Sequence, residues 1–155
     1  MTHHLTLASP VGDILLTERD DALTGLYLPA EQRAPEPGSE EGGAFLDDVR
    51  DQLGAYFAGD RQTFDIALAP DGTAWQRRVW DELGRIPYGG TITYAELARR
   101  AGNPTAIRAA GAANGHNPVS IVIPCHRVVG TDGRLTGYSG GLDAKRWLLD
   151  HEGAV

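Results

Sequence analysis

The sequence predicts an α+β protein in two parts, a small N-terminal antiparallel α/β domain over residues 1–70 and a mainly helical domain over residues 71–155. Three observations carry that expectation. Residues 3–28 alternate apolar and polar side chains between short turn signals, the period of half-buried strands. From Phe45 onward apolar residues recur every three or four positions, the period of amphipathic helices. At Pro70-Asp71-Gly72 composition and charge both change, which marks the boundary between the two parts.

Taken in order, Leu5 and Leu7 lie on one face of a strand from His3 to Ala8, and Pro10-Val11-Gly12 turns the chain. Ile14 to Thr17 is a second strand, Asp20-Asp21 turns again, and Leu23 to Leu28 is a third, which together make an antiparallel meander. Residues 29–43 are rich in Pro, Glu and Gly without apolar periodicity, and read as an exposed loop open to disorder. Phe45, Leu46, Val49, Leu53, Tyr56 and Phe57 share one face of a helix closed by Gly59. Phe64, Ile66 and Leu68 alternate as one more strand.

Beyond the boundary, Thr73 can cap a helix whose Trp75, Val79, Trp80 and Leu83 form an apolar stripe ending at Gly84 and Pro87. Thr93 and Glu96 have the spacing of a capping box, opening a helix that stops at Gly102. Asn103 then caps another, with Pro104 at its first position, running through Arg108 towards Gly115. Two short helices across a Gly-Asn turn form a helix-turn-helix. The second is nearly bald: Ala106, Ala109, Ala110, Gly111, Ala112 and Ala113 surround one long polar side chain, Arg108. Readers of the major groove need several polar side chains, whereas small residues let a backbone approach a narrow groove. One arginine could enter the space left by an extruded nucleotide. Alanines packing helix against helix would read the same way. Residues 130–141 form a Gly-rich loop, and Asp143 to His151 a last helix with Trp147 and Leu148 inward.

At 155 residues the chain is long enough to bury roughly two-thirds of its unfolded surface. No apolar run reaches transmembrane length, and Met1-Thr2-His3-His4 lacks the basic and apolar regions of a signal peptide, so a cytoplasmic protein is expected. A single cysteine excludes an internal disulfide. The net charge of -7 is unevenly placed: residues 1–75 hold 4 Lys/Arg against 14 Asp/Glu, and residues 76–155 hold 10 against 7. Any surface for nucleic acid therefore belongs to the second half.

That cysteine interrupts the apolar run Ile121-Val122-Ile123-Pro124-Cys125-His126-Arg127-Val128-Val129. An isolated Cys among Val and Ile usually packs as a small inert hydrophobe. Here Pro124 bends or edges the strand, and a His and an Arg beside the sulfur would be costly to bury for packing alone. A thiol is a strong nucleophile only as thiolate, and His126 and Arg127 are both candidates to favour that state. If the strand continued, Cys125 and His126 would point to opposite faces, so the base must act through a turn or a bridging water.

Pro124-Cys125-His126-Arg127-Val128, with Asn117-Pro118 before it and Tyr138-Ser139-Gly140-Gly141 after it, resembles the active-site signature of the O6-alkylguanine-DNA alkyltransferases, the methylated-DNA:protein-cysteine methyltransferases. The resemblance continues through Ile86-Pro87-Tyr88-Gly89, Thr93-Tyr94, Ala101-Gly102-Asn103-Pro104 and Trp147-Leu148-Leu149, and so covers residues 73–153. It implies a ribonuclease-H-like N-terminal domain and a winged-helix-like C-terminal one. The implied activity is DNA repair by suicidal transfer of the alkyl group from O6-alkylguanine, in a flipped-out nucleotide, to Cys125. The implied partner is double-stranded DNA containing O6-alkylguanine, met by a monomer through the minor groove, without a membrane.

In the roles that the resemblance implies, Glu152 holds His126, which removes the Cys125 proton through a water, and Asn117 braces the turn. Tyr94 donates to the base ring, and the Ser139 backbone amide meets O6. The carbonyls of Cys125 and Val128 recognise the exocyclic amine, and Tyr138 walls the alkyl pocket. The helix with Ala106, Ala109, Gly111 and Ala113 lies in the minor groove beside Thr93, with Arg108 replacing the flipped base. Similar proteins often carry proline where this chain has Ser120, and this departure predicts a wider or more polar pocket. No cofactor is implied. No metal is expected either, since His3, His4, His116, His126 and His151 lack the close regular spacing of zinc ligands and the zinc-binding cysteines of some similar proteins are absent.

Three other readings compete. An alkyltransferase-like damage sensor would lack the cysteine that this chain has. A thiol hydrolase would leave the bald helix and Arg108 unexplained. A sequence-specific transcription factor would need base-reading side chains that the second helix does not carry.

Overall fold

The computed structural model describes residues 1–154. β1 (Thr2–Leu7), β2 (Ile14–Arg19) and β3 (Ala22–Tyr27) form the expected meander, in a sheet ordered β3-β2-β1-β4. β2 and β3 meet at Arg19 and Ala22 across Asp20 and Asp21, which both have positive φ (51° and 60°). That is the geometry of a two-residue hairpin, and short polar Asp tolerates it.

Residues 29–43 are largely exposed, but they are not structureless. Pro29–Glu31 is a 3₁₀ turn, and β4 (Glu40–Glu41) pairs parallel with β1. Apolar periodicity could not show this, because the pairing is made by backbone groups on an edge strand. α1 (Ala44–Phe57) lays Leu46, Val49, Leu53 and Tyr56 into the core and ends before Gly59 at φ 83°. The strand expected at Phe64–Leu68 is reduced to one parallel bridge, Leu23 to Leu68. Gln52 of α1 takes both backbone groups of Asp65, donating to its carbonyl at 3.0 Å and accepting from its N–H at 2.9 Å. A side chain has replaced the ladder there.

α2 (Ala74–Leu83) begins with a reciprocal capping box: Thr73 Oγ1 accepts from the Gln76 N–H at 3.1 Å, and Gln76 Oε1 accepts from the Thr73 N–H at 2.9 Å. Val79, Trp80 and Leu83 are buried. β5 (Ile92–Thr93) precedes α3 (Tyr94–Arg100), whose N-terminus Thr93 caps by accepting from the Glu96 N–H at 3.1 Å. The other half of the expected box is missing, because the Glu96 carboxylate accepts from Arg99 and Arg100 instead. α4 (Ile107–Gly115) starts later than expected. Asn103 does not cap it. Its carbonyl accepts from the Ala106 N–H, closing a separate turn over 103–106, and its side chain accepts from Thr105.

The segment 119–123 is not a strand. Val119 makes one bridge to Leu26 of β3, and Ile121 then takes φ 73°, a left-handed conformation unusual for a β-branched residue. After a 3₁₀ turn at Cys125–Arg127, β6 (Val128–Val129) pairs parallel with β5. α5 (Leu142–His151) closes the fold. The two halves meet at the free edge of β3, where Leu26 donates to Pro118 O at 2.9 Å and accepts from Ser120 N–H at 3.2 Å. That edge positions the segment leading to the cysteine.

Candidate active site

The turn that carries Cys125 is held from behind by one side chain. Asn117 Nδ2 donates to the Ile123 carbonyl at 2.7 Å while its Oδ1 accepts from the Val119 N–H at 3.0 Å, so both ends of the amide brace the loop. With Ile121 left-handed, the chain reverses and enters the 3₁₀ turn. His126 therefore does not sit opposite Cys125 as on a strand. Cys125 is buried, at 1% exposure. Burial pushes its thiol up from the ordinary value, although a hydrogen bond from Asn117 opposes the shift. The resting sulfur is thus a thiol and needs a base.

His126, fully buried in the same turn, is the candidate base. Its Nε2 stands 2.8 Å from Glu152 Oε2, just past the end of α5. Arg127 binds the same carboxylate with Nε at 2.7 Å and a second nitrogen at 3.0 Å, and donates to the Ile86 carbonyl at 2.7 Å. Tyr56 of α1 adds a fourth donor at 2.5 Å. Burial alone would raise the Glu152 carboxyl, but the hydrogen bonds from His126 and Arg127 outweigh it and hold the group at about 2. An ionised Glu152 fixes the His126 proton on Nε2. Burial lowers the imidazole below its ordinary value, so Nδ1 is a bare acceptor, and it has no hydrogen-bond partner among the described residues.

Arg127 is not the positive charge beside the thiol that the sequence allowed. Its guanidinium is spent on Glu152 and Ile86. Glu152 is 5% exposed and lies at the centre of the cluster rather than in solvent.

The opposite wall is the loop 130–141. Tyr138 is half-buried, and its hydroxyl is enclosed near Cys125 and Ser120 without a well-formed hydrogen bond. Tyr94, at the start of α3, reaches the Thr136 and Gly137 carbonyls with long bonds of 3.4 Å. The Cys125 carbonyl already accepts from the Val128 N–H and from Asn114 Nδ2 at 3.3 Å.

On α4, Arg108 and Ala109 are exposed, and Ala106 precedes the helix. Gly111 faces Tyr94, since a Cβ there would stand 3.6 Å from its ring. Ala113 is on the inner side: it is 2% exposed, and its carbonyl accepts from Trp80 Nε1 at 2.9 Å. Thr93 is occupied in capping α3. Among the described residues no cluster of three or more His, Cys, Asp or Glu could hold a metal ion.

Sequence reasoning missed three contributors. Tyr56 was legible only as a core residue of its helix, because its partner lies across the boundary. Asn114 gave no signal apart from its position before Gly115. Lys145 did give one, as the sole lysine. It is wholly buried, its Nζ donates to the Thr136 carbonyl at 2.8 Å, and burial lowers it to about 8.

Known proteins are similar to both halves of this chain. Residues 74–154 match the 6-O-methylguanine DNA methyltransferase DNA-binding domain, and residues 2–70 match the ribonuclease-like domain of the same family. The methylated-DNA--protein-cysteine methyltransferase of Methanosarcina acetivorans is 45% identical over 98% of this chain and 99% of its own length. That of Mycolicibacterium paratuberculosis is 50% identical over 96% and 91%. Among solved structures, the OGT of Mycobacterium tuberculosis in complex with DNA superimposes with a TM-score of 0.91 at 43% identity, covering 98% of this chain and 93% of that one. With both halves matched and the relatives aligned along nearly the whole chain, the protein belongs to the 6-O-methylguanine DNA methyltransferase family.

Proposed function

We propose that Cys125 is the alkyl acceptor, activated by His126 under the control of Glu152. The family's chemistry, DNA repair by single-turnover transfer of an alkyl group to a cysteine, is this chain's function. The observation that supports these residues as its carriers is the bare Nδ1 of a buried neutral histidine in the same turn as a buried thiol. A water between Nδ1 and the sulfur would pass the thiol proton to His126. The thiolate then displaces guanine from the alkyl carbon: a C–S bond forms, the C–O6 bond breaks, and the electron pair leaves with guanine. Charge developing on the base is met by donors, for which Tyr94 and the backbone amide of Ser139 are the candidates. The amine of guanine would find the Val128 carbonyl more readily than that of Cys125, whose two lone pairs are engaged.

The substrate is double-stranded DNA carrying O6-alkylguanine, approached through the minor groove by a monomer. The exposed side of α4 supports this, with Arg108 beside Ala106 and Ala109. Gly111 lets the helix pass close to Tyr94, and Arg108 takes the place of the extruded nucleotide. The domain boundary falls at residues 70–71, and the working environment is the cytoplasm. No described helix is long and apolar enough to cross a membrane.

The decisive experiment mixes the protein with a duplex containing O6-methylguanine and measures intact and peptide masses, alongside Cys125→Ala. The expected result is one methyl group per molecule on the Cys125 peptide, stopping at one equivalent and absent from the variant. Binding without a mass change would replace repair by damage sensing.

A further inference from the structure

The wall of the site contains an acidic side chain that the transfer chemistry does not use. Glu31 closes the 3₁₀ turn after β3, in the N-terminal half. Its Oε1 accepts from the Leu28 N–H at 2.9 Å and lies 3.5 Å from Ser120 Oγ, and its Oε2 lies 3.3 Å from Ser139 Oγ. Ser120 is fully buried in the segment that leads to Cys125. Ser139 belongs to the facing loop. One carboxylate from the other half of the molecule thus bridges the segment before Cys125 and the loop that carries Tyr138. The serine contacts are long and individually weak.

A second contact joins the same two segments. A Cβ on Gly140 would overlap Leu28 Cδ1 and stand 2.7 Å from Tyr138 Cε2, so the loop rests directly on the residue before the turn. A Cβ on Gly141 would stand 3.8 Å from that of Ala30. Residues 28–31 and 138–141 therefore meet along a glycine seam, with Tyr138 between that seam and the thiol.

Electrostatics argues that Glu31 is not there for acid–base work. Burial holds its carboxyl above the usual range, and its charge adds to the forces that raise the Cys125 thiol. A carboxylate so placed opposes thiolate formation, and its presence is better explained by what it holds.

We propose that Glu31 is a positioning residue that sets the width of the alkyl pocket, by tying the loop at Ser139 to Ser120 beside the thiol. It thereby restricts which O6-alkyl groups reach Cys125. This rests on Cys125 as the acceptor. A methyl group fits with the tie closed, whereas a larger group needs Tyr138 and its loop to draw back.

The test compares single-turnover transfer from duplexes carrying O6-methylguanine and O6-benzylguanine by wild type, Glu31→Ala and Glu31→Gln. Glu31→Ala is expected to raise the benzyl-to-methyl rate ratio by about tenfold, the combined scale of two weak hydrogen bonds lost together. Glu31→Gln, whose amide can still bridge two hydroxyls, stays within about threefold of wild type. A loss of folded protein scales both rates together and leaves the ratio alone. Should Glu31→Ala fail to fold, Ser139→Ala cuts only the loop side of the tie and is expected to move the ratio in the same direction. An unchanged ratio in whichever of these variants folds overturns the proposal. So does a Glu31→Gln as altered as Glu31→Ala, which would assign the effect to charge. If wild type transfers neither group to Cys125, the reading of the site itself falls; if it transfers methyl and the ratio is indifferent to the tie, only the role of Glu31 falls.

Discussion

Glu152 binds four donors from three residues, of which Arg127 and His126 are buried with it. Removing its charge leaves a buried guanidinium half-answered, so Glu152→Gln should cost about 3–5 kcal/mol in denaturant unfolding. It should also slow transfer, because a neutral amide, which can donate as well as accept, no longer holds the His126 proton on Nε2 as an ionised carboxylate does. The stabilisation has a defined pH window. The folded carboxyl sits at about 2 against an ordinary 4.5, so its contribution is complete above 4.5 and is lost as pH falls towards 2. The stability difference between wild type and Glu152→Gln should shrink over that interval, and a difference unchanged down to pH 2 would contradict the assignment. His126 follows a different rule. Burial holds its pKa below 6.5, so the acid limb of the single-turnover rate should lie below that value. A limb at or above 6.5 would mean that the imidazole is not the desolvated base described above. Cys125 and His126 were legible as a pair in the sequence. The resemblance also pointed to Glu152 as the third member; that Arg127 serves this carboxylate rather than the thiol was not legible, because carboxylate and turn lie 25 residues apart.

Helices were legible where both period and cap were written locally. Thr73 and Gln76 satisfy each other's backbone N–H groups at an exposed helix start, so Thr73→Ala should cost about 1 kcal/mol by thermal or denaturant unfolding and leave the transfer rate unchanged. A slowed transfer in a fully folded Thr73→Ala would show that α2 does more than carry the core. Elements failed to follow the sequence where a tertiary partner offered the backbone something better. Gln52 took the ladder groups of Asp65, the edge of β3 accepted 118–120 for only two bonds, and Asn117 then captured the reversal at Ile121. Asn103-Pro104 has the form of a helix start, yet the chain spends it on a separate turn before α4. The misses at Asp65 and at 118–120 are local preferences overruled by contacts distant in the chain, whereas Asn103 is captured by its own turn.

At the scale of the molecule, the N-terminal half does more than accompany the reactive one. Tyr56 donates to Glu152 across 96 residues, Leu26 pairs with the segment before Cys125, and Glu31 touches both Ser120 and Ser139. Tyr56→Phe should therefore cost about 1–3 kcal/mol, since it leaves a buried carboxylate one donor short. Calorimetry should show a single transition for wild type, and two well-separated transitions would mean that these bonds do not couple the halves. By itself the sequence determined the α+β class, the meander and the main helices, and it set the candidate nucleophile Cys125 beside a histidine. These rest on period, turn chemistry and residues adjacent in the chain. Only the tertiary structure decided that Cys125 lies in a 3₁₀ turn, that Glu152 is buried with four donors, that Ala113 faces inward, and that Glu31 touches both Ser120 and Ser139. Burial and pairing between distant residues set those, and no local pattern records which partner a side chain will meet.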